Sequence, residues 1–119
     1  MNLFTLRAYC LAKPGTTEER PFGPDTLLYK VMGKMFALTG DELEPKSMNL
    51  KCDPDDALFF RRQFEGIREG YHMNKRHWIT VDLQGSVPET LIFELIDDSY
   101  DLVVKGLRKK DREQLLSGA

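Results

Sequence analysis

The chain is poor in cysteine, in long apolar runs and in any excess of charge of one sign. Its 119 residues include 2 cysteines, and 17 basic side chains stand against 19 acidic ones, for a formal net charge of −2. Two cysteines without CxxC spacing do not form a disulfide framework, and no apolar run approaches the ~18 residues of a membrane span. The near-neutral balance argues against a protein that coats nucleic acid indiscriminately, although a local basic face is compatible with it.

The rest of the composition is that of an ordinary globular chain. Hydrophobic residues make up 41% and charged residues 30%, which excludes a disordered or collagen-like chain. The length fits one domain, so we expect a single domain over residues 1–119. Residues 1–13 lack the charged start, apolar core and cleavage site of a signal peptide, and Cys10 and Cys52 are typical of buried reduced thiols. We therefore expect a cytoplasmic protein without membrane association.

Periodicity and breaker residues predict an alternation of helices and strands. The predicted elements, in chain order, are a helix over 2–13, a loop over 16–25, strands over 26–31, 34–39 and 47–52, a helix from Asp53 to Gly66 or Gly70, a strand over 77–83, and a long helix from Pro88 with a buried stripe that reaches Leu107. Asn2 and Asp53 are the expected N-caps of the first two helices. Met32-Gly33 is short enough for a tight hairpin.

This order predicts an α+β fold, a two-layer sandwich in which an antiparallel sheet carries helices on one face. The other face of such a sheet need not be covered. We expect it to display polar and aromatic side chains from alternate strand positions, namely Lys30, Asn49, Lys51, Trp78 and Thr80.

The segment Gly70–Trp78 has the most unusual composition in the chain. From Tyr71 to Val81 there is no acidic residue, and the segment combines two cations, two imidazoles, an amide and two aromatic rings. Lys and Arg neutralise phosphates, Asn bonds a phosphate or a base edge, and aromatic rings stack on bases. The same residues also suit a solvated turn whose aromatic rings cover the core. A second basic cluster, over 105–112, fits either a solvated helix end or a phosphate-contacting arm.

Metal binding and catalysis find little support in the spacing of reactive residues. His72 and His77 are not an i, i+4 pair, and no nearby Cys or Asp completes a recognised ligand set. The acids over 94–101 fit the water-facing side of an amphipathic helix. Cys52 falls in register with apolar residues, and no pair of titratable groups with opposed roles is evident. We therefore expect no metal site, no cofactor and no enzymatic activity.

Several segments together resemble the MmcQ/YjbR family, over residues 13–104. The matching segments are Lys13-Pro14-Gly15, Pro21-Phe22-Gly23, Tyr29 to Leu38, Leu50-Lys51-Cys52-Asp53-Pro54, Gly70 to Trp78, and Asp98 to Val103. The resemblance implies a fold similar to that of CyaY, the bacterial frataxin, and to double-wing DNA-binding domains, together with DNA binding. The likeness to frataxin also suggests iron, but the chain has no acid before Glu18, so we do not expect an iron site.

The sequence thus predicts a monomeric, non-enzymatic DNA-binding protein that contacts phosphates through a basic sheet face and an adjoining loop. The predicted nucleic-acid-binding residues are Lys30, Lys34, Lys51, His72, Asn74, Lys75, Arg76 and Trp78. Lys34 belongs to this set although the expected hairpin register turns it toward the opposite face. Two alternatives remain open: a pocket for a small anionic molecule or a peptide carboxylate, and a protein-interaction surface.

Overall fold

The structure is a computed structural model that describes residues 1–71 and 73–118. Its helices are α1 (Leu3–Leu11), α2 (Pro54–Gln63), α3 (Glu89–Lys105) and α4 (Lys109–Leu116). Its strands are β1 (Thr16–Glu19), β2 (Thr26–Val31), β3 (Lys34–Gly40), β4 (Ser47–Lys51), β5 (Ile67–Glu69) and β6 (Trp78–Asp82). They form one sheet in the order β1-β2-β3-β4-β6-β5, and each neighbouring pair is antiparallel. The predicted α+β class is confirmed.

Local sequence signals determine where the first elements begin and turn. The Asn2 side chain accepts a hydrogen bond from Thr5 N–H at 2.9 Å, and that of Asp53 accepts one from Asp55 N–H at 2.9 Å. Both predicted N-caps are therefore confirmed. Between β2 and β3, Met32 has φ 49° and Gly33 has φ 82°. Two successive positive φ values are typical of a type I′ turn, whose twist matches a tight hairpin, as predicted from Met32-Gly33.

The core lies between one face of the sheet and helices α1, α2 and α3. Alternate strand residues supply the sheet side, among them Leu27, Tyr29, Val31, Met48, Leu50, Ile79 and Val81. The buried stripe of α3 covers them with Ile92, Leu95, Ile96, Tyr100 and Val103. Helix α3 packs on β2, β3 and β4, while α1 contacts β1 and α2 contacts β5. This arrangement places the start of β3, the end of β4 and the start of β6 next to the C-terminal end of α3.

Helix α3 is amphipathic, but one of its acids does not face water as predicted. Asp97 is half-buried, accepts a hydrogen bond from the Tyr9 hydroxyl at 2.7 Å and pairs with Lys13. This cluster joins α1 to α3. Within the described residues, no helix combines the length and the apolar character that crossing a membrane requires.

The predicted loop over 16–25 is wrong at its start, where β1 pairs with β2. Glu18 explains the difference, because its carboxylate accepts hydrogen bonds from the buried Tyr29 hydroxyl at 2.8 Å and from Arg7 Nε at 2.9 Å. These partners are 11 residues away in sequence on either side. Tertiary contacts therefore produce this strand, and local turn residues do not reveal it.

The second helix ends earlier than predicted, and one strand follows it that the sequence did not indicate. Phe64 is extended, with φ −131° and ψ 122°, so α2 stops at Gln63. Ile67, which falls within the predicted helix where that helix extends to Gly70, instead begins β5 opposite Val81. Helix α4 was not predicted either. Its Leu115 is half-buried against the core, next to Gly15.

Candidate functional site

A groove of about 360 Å³ opens at the end of the sheet where β3 and β6 begin and β4 ends. Its lining consists of Lys34, Met35, Lys51, Trp78, Val103 and Gly106. Lys34 is the first residue of β3, Lys51 is the last of β4, and Trp78 is the first of β6, directly opposite Lys51 in register. The C-terminal end of α3 closes the groove. We call this site the cationic groove.

The groove forms where β3 and β4 stop pairing. The ladder between these strands covers Ala37 to Thr39 and ends at the pair Ala37 and Leu50. Beyond that point Ser99 of α3 joins the two strands: its hydroxyl donates to the Phe36 carbonyl at 2.5 Å and accepts from Lys51 N–H at 2.8 Å. A register shift between β2 and β3 beside Phe36 accompanies the change. The Ser99 side chain therefore takes the place of direct backbone hydrogen bonds between β3 and β4 at this point.

The lysines of the cationic groove have no carboxylate partner. Lys34 and Lys51 form no ion pair with any other residue in the described parts of the chain, and no acidic side chain is among those that line the groove. Lys30 differs, because its ammonium group pairs with Glu19 of β1 at 3.4 Å. Of the predicted cations on the sheet, Lys34 and Lys51 thus carry the uncompensated charge. The expected register placed Lys34 on the opposite face from Lys51, yet both line this groove.

The predicted loop residues form a turn that leads into Trp78. The Asn74 side-chain oxygen accepts from Arg76 N–H at 2.9 Å and from His77 N–H at 3.2 Å, and the Asn74 carbonyl accepts from Trp78 N–H at 3.0 Å. Asn74 is therefore committed to building the turn. His72, which also belongs to the predicted site, lies outside the described residues.

Lys75 and Arg76 line a second groove, of about 300 Å³, on the other side of this turn. That groove is mixed in charge, since Asp55, Glu69 and Arg61 also line it, and Arg61 pairs with Glu69 at 3.3 Å. The structure thus distributes the predicted cations over two neighbouring grooves and one ion pair. Neither Lys75 nor Arg76 has an ion-pair partner among the residues described.

Trp78 is half-buried, and its backbone packs closely against Gly70. Gly70 N–H donates to the Trp78 carbonyl at 2.9 Å, and a Cβ at Gly70 would lie 2.7 Å from the Trp78 Cβ. Next to it, Thr80 is only 5% exposed, and its hydroxyl lies 2.7 Å from Asn49 Oδ1 and accepts from Tyr71 N–H at 3.0 Å. The expectation that Thr80 is displayed on an open face is therefore wrong.

An acidic pocket of about 270 Å³ is lined in part by residues next in sequence to those of the cationic groove, since Cys52 follows Lys51 and Leu102 precedes Val103. Its lining consists of Cys52, Asp53, Asp56, Asp98, Asp101, Leu102 and Lys105. The sequence alone does not indicate that these aspartates lie close together, because they belong to two helices that are neighbours only in the folded protein. In residues 1–71 and 73–118, no three His, Cys, Asp or Glu side chains are arranged to hold a metal ion.

The acidic pocket changes the ionisation of its own groups. Burial, followed by the nearby carboxylates of Asp56, Asp53 and Asp98, raises the pKa of the Cys52 thiol to about 12. Burial is also the main cause that raises the pKa of Asp98, and the charges of Asp101 and Asp56 add to it. A thiol held in its neutral form is a poor nucleophile. This agrees with the structural interpretation of Cys52.

Known proteins share both the sequence and the fold of this chain. It is 41% identical over 98 residues to uncharacterized protein YbdF of Escherichia coli O157:H7, covering 82% of this chain and 80% of that protein. It is 34% identical over 116 residues to uncharacterized protein YjbR of Escherichia coli K12, covering 98% of each.

Two solved structures share the fold. Deinococcus radiodurans protein DR2400, a DUF419 domain, superposes with a TM-score of 0.89 at 39% identity, covering 96% of this chain and 87% of that one. A Pseudomonas syringae protein gives a TM-score of 0.73 at 32% identity, covering 86% and 98%. The YjbR family model matches residues 11–102. The chain therefore belongs to the YjbR family.

Proposed function

We propose that this protein binds DNA, with Lys34 and Lys51 contacting phosphates next to Trp78. The proposal rests on one observation. Two lysines without a carboxylate partner and one half-buried indole line the same groove, and its described lining has no acid. Lysine binds phosphate as a point charge, and aromatic rings stack on bases. The groove thus offers both kinds of contact that a nucleotide needs.

Lys75 and Arg76 extend this positive region through the turn that leads into Trp78. Asn74 orients the turn with its hydrogen bonds to Arg76 and His77, so both cations are presented from an ordered backbone. Lys30 contributes less in this proposal, because Glu19 already compensates its charge. Lys34, Lys51, Lys75 and Arg76 are then the phosphate contacts.

Binding of this kind depends on phosphates more than on base sequence. The exposed side of α3 carries Glu94, Asp98 and Asp101, and the first turn of α2 carries Asp55 and Asp56. Neither helix suits the major groove of DNA, where direct base readout takes place. We therefore expect modest affinity, little sequence preference and a strong dependence on salt.

The protein acts as a binding module in this proposal, and not as an enzyme. Apart from the amines of Lys34 and Lys51, the described lining of the cationic groove contains no carboxylate, imidazole, hydroxyl or thiol side chain. The pair of titratable groups with opposed roles that is typical of acid–base catalysis is therefore not among the described lining residues.

The test is the fluorescence anisotropy of labelled DNA, as single strand and as duplex, titrated with the full chain at several salt concentrations. Four phosphate contacts give a slope of about −3.6 in log K against log salt for a duplex, and about −2.8 for a single strand. The K34E/K51E double variant should lose binding. Lys46 provides the matched control for the single K51E variant, because both replacements change the net charge by −2 and Lys46 precedes β4 whereas Lys51 ends it, roughly 16 Å away along the strand. Equal binding by K51E and K46E would refute the proposal.

A small anionic ligand is the second candidate, and the dimensions of the groove favour it. A volume of about 360 Å³ lies at the lower end of the range for small-molecule sites, ~300–1,000 Å³. A carboxylate or phosphate between Lys34 and Lys51 with an apolar part against Trp78 would fill it. Such a ligand would saturate at one site with weak salt dependence and would raise the melting temperature of the protein.

A further inference from the structure

We infer that the cationic groove prefers single-stranded DNA, with one unstacked base lying against Trp78. This inference rests on the proposed function and specifies its ligand. It follows from the position of the indole, from the acidic pocket beside it and from the path of the cations.

The indole is reached from within a groove and does not project from a convex surface. Met35, Val103 and Gly106 line the same groove as Trp78, so a planar group that enters the groove meets the indole and apolar neighbours. In a duplex each base face is covered by the next base pair, and proteins reach only the base edges. A single strand exposes base faces, which is why aromatic platforms are typical of single-strand binding proteins.

The neighbouring acidic pocket restricts the positive region to a narrow track. Lys51 and Cys52 are consecutive, as are Leu102 and Val103, so residues next to each other in sequence line the two sites. Asp98 and Asp101 belong to the acidic pocket. A duplex carries a second phosphate backbone across its groove, and these carboxylates would repel that backbone wherever it came near them. A single strand requires only the one cationic track.

The remaining cations, Lys75 and Arg76, lie in the turn that leads into Trp78, where they line the second groove together with Asp55 and Glu69. Lys34 and Lys51 flank the groove, Trp78 lies opposite Lys51 in register, and Lys75 and Arg76 precede Trp78 in the turn. A flexible backbone can bend from the groove over the turn, whereas a stiff duplex cannot follow such a local change of direction. Stacking at Trp78 would then fix one base, and the cations would hold phosphates on both sides of it.

The chain contains 1 tryptophan, so its intrinsic emission reports directly on this site. The experiment titrates the full chain with oligothymidylate, with an abasic strand of equal length, and with a duplex of equal length, at the same salt concentration. Oligothymidylate should quench Trp78 emission and bind about tenfold more tightly than the abasic strand or the duplex. The abasic strand retains every phosphate, so it isolates the contribution of the base.

Two substitutions of Trp78 provide the second readout, by anisotropy. W78L should weaken oligothymidylate binding about tenfold and abolish its preference over the abasic strand and the duplex, while W78F should retain most of the preference because a ring remains. If all three DNAs bind equally and the emission does not change, the inference fails while the proposed DNA binding stands. If none of them binds, both fail.

Discussion

Ser99 in the middle of α3 accepts a hydrogen bond from the backbone N–H of Lys51, the last residue of β4, at 2.8 Å. The same hydroxyl donates to the Phe36 carbonyl of β3 at 2.5 Å, and the Ser99 side chain is fully buried. One hydroxyl therefore closes the sheet at the point where two strands separate. Since Lys51 lines the cationic groove, this contact connects the packing of α3 to the position of a proposed phosphate ligand.

Replacement of Ser99 by alanine should destabilise the protein by about 1–3 kcal/mol. The substitution leaves the Phe36 carbonyl and the Lys51 N–H buried without their partner, and each unsatisfied group carries a desolvation cost. Urea denaturation measures the change. Ser117→Ala is the control, because the Ser117 hydroxyl bonds the Gln114 carbonyl at an exposed helix end and should change stability by less than about 0.5 kcal/mol. Equal midpoints for the two variants would contradict the assigned role of Ser99.

Local sequence signals were sufficient for most of the fold because caps, turns and periodicity act over a few residues. Asn2, Asp53 and Met32-Gly33 are examples, and each was identified without knowledge of the fold. β1 could not be identified in this way. Its pairing depends on Glu18, whose partners Arg7 and Tyr29 are brought to it by α1 and β2.

The candidate site was predictable in its residue types and not in its arrangement. Composition singled out Lys51, Trp78 and the preceding turn, because unusual residues are visible along the chain. The contribution of Val103 and Gly106 was not visible, since it depends on where α3 crosses the sheet. The compensation of Lys30 was hidden for the same reason, because its partner Glu19 belongs to the strand that was not predicted.

Gly70→Ala should destabilise the protein by about 1–3 kcal/mol and shift the emission of Trp78. An added Cβ would lie 2.7 Å from the Trp78 Cβ and 3.0 Å from its carbonyl oxygen, so backbone must move to accommodate it. Gly106→Ala is the matched control. Gly106 lines the cationic groove with Trp78, but the nearest neighbours of an added Cβ would be carbonyl oxygens at 3.6 Å, and its φ is −84°. It should cost less than about 0.5 kcal/mol, and an equal loss in both variants would contradict the close contact at Trp78.

Both cysteines should resist alkylation in the folded protein at pH 8. Burial raises the pKa of Cys10 and of Cys52 to about 12, from an ordinary value of 9.0, so thiolate is scarce in the native state. Mass spectrometry after iodoacetamide treatment should find unmodified protein, while the same treatment in guanidinium should modify both thiols. Rapid labelling of native Cys52 would show that its thiol is accessible and ionised.

The raised pKa values of the thiols contribute to how stability changes in alkali. Below about pH 8 the thiols are mostly protonated in the folded and unfolded chain, so they add little pH dependence. Between about pH 9 and 12 the unfolded chain ionises its thiols while the folded one does not, and stability falls as pH rises. Each thiol contributes at most about 1.4 kcal/mol per pH unit in this range. A Cys10→Ala variant should show a shallower decline, and identical slopes would contradict the assigned pKa of Cys10.

Neutralising the acidic pocket should strengthen DNA binding. Asp98 and Asp101 lie in the acidic pocket, and no lysine or arginine of the described residues forms an ion pair with either carboxylate. A unit charge about 10 Å from a phosphate repels it by roughly 0.4 kcal/mol in water, or about twofold in affinity. The D98N/D101N variant should therefore bind duplex DNA about fourfold more tightly at low salt, and the gain should fade as salt screens the charges.

The E42Q/E44Q variant has the same change in net charge in the loop between β3 and β4, at the opposite end of β4 from Lys51. An equal gain in the control would mean that net charge alone governs the affinity, whereas a gain confined to D98N/D101N would place the phosphate backbone beside the acidic pocket.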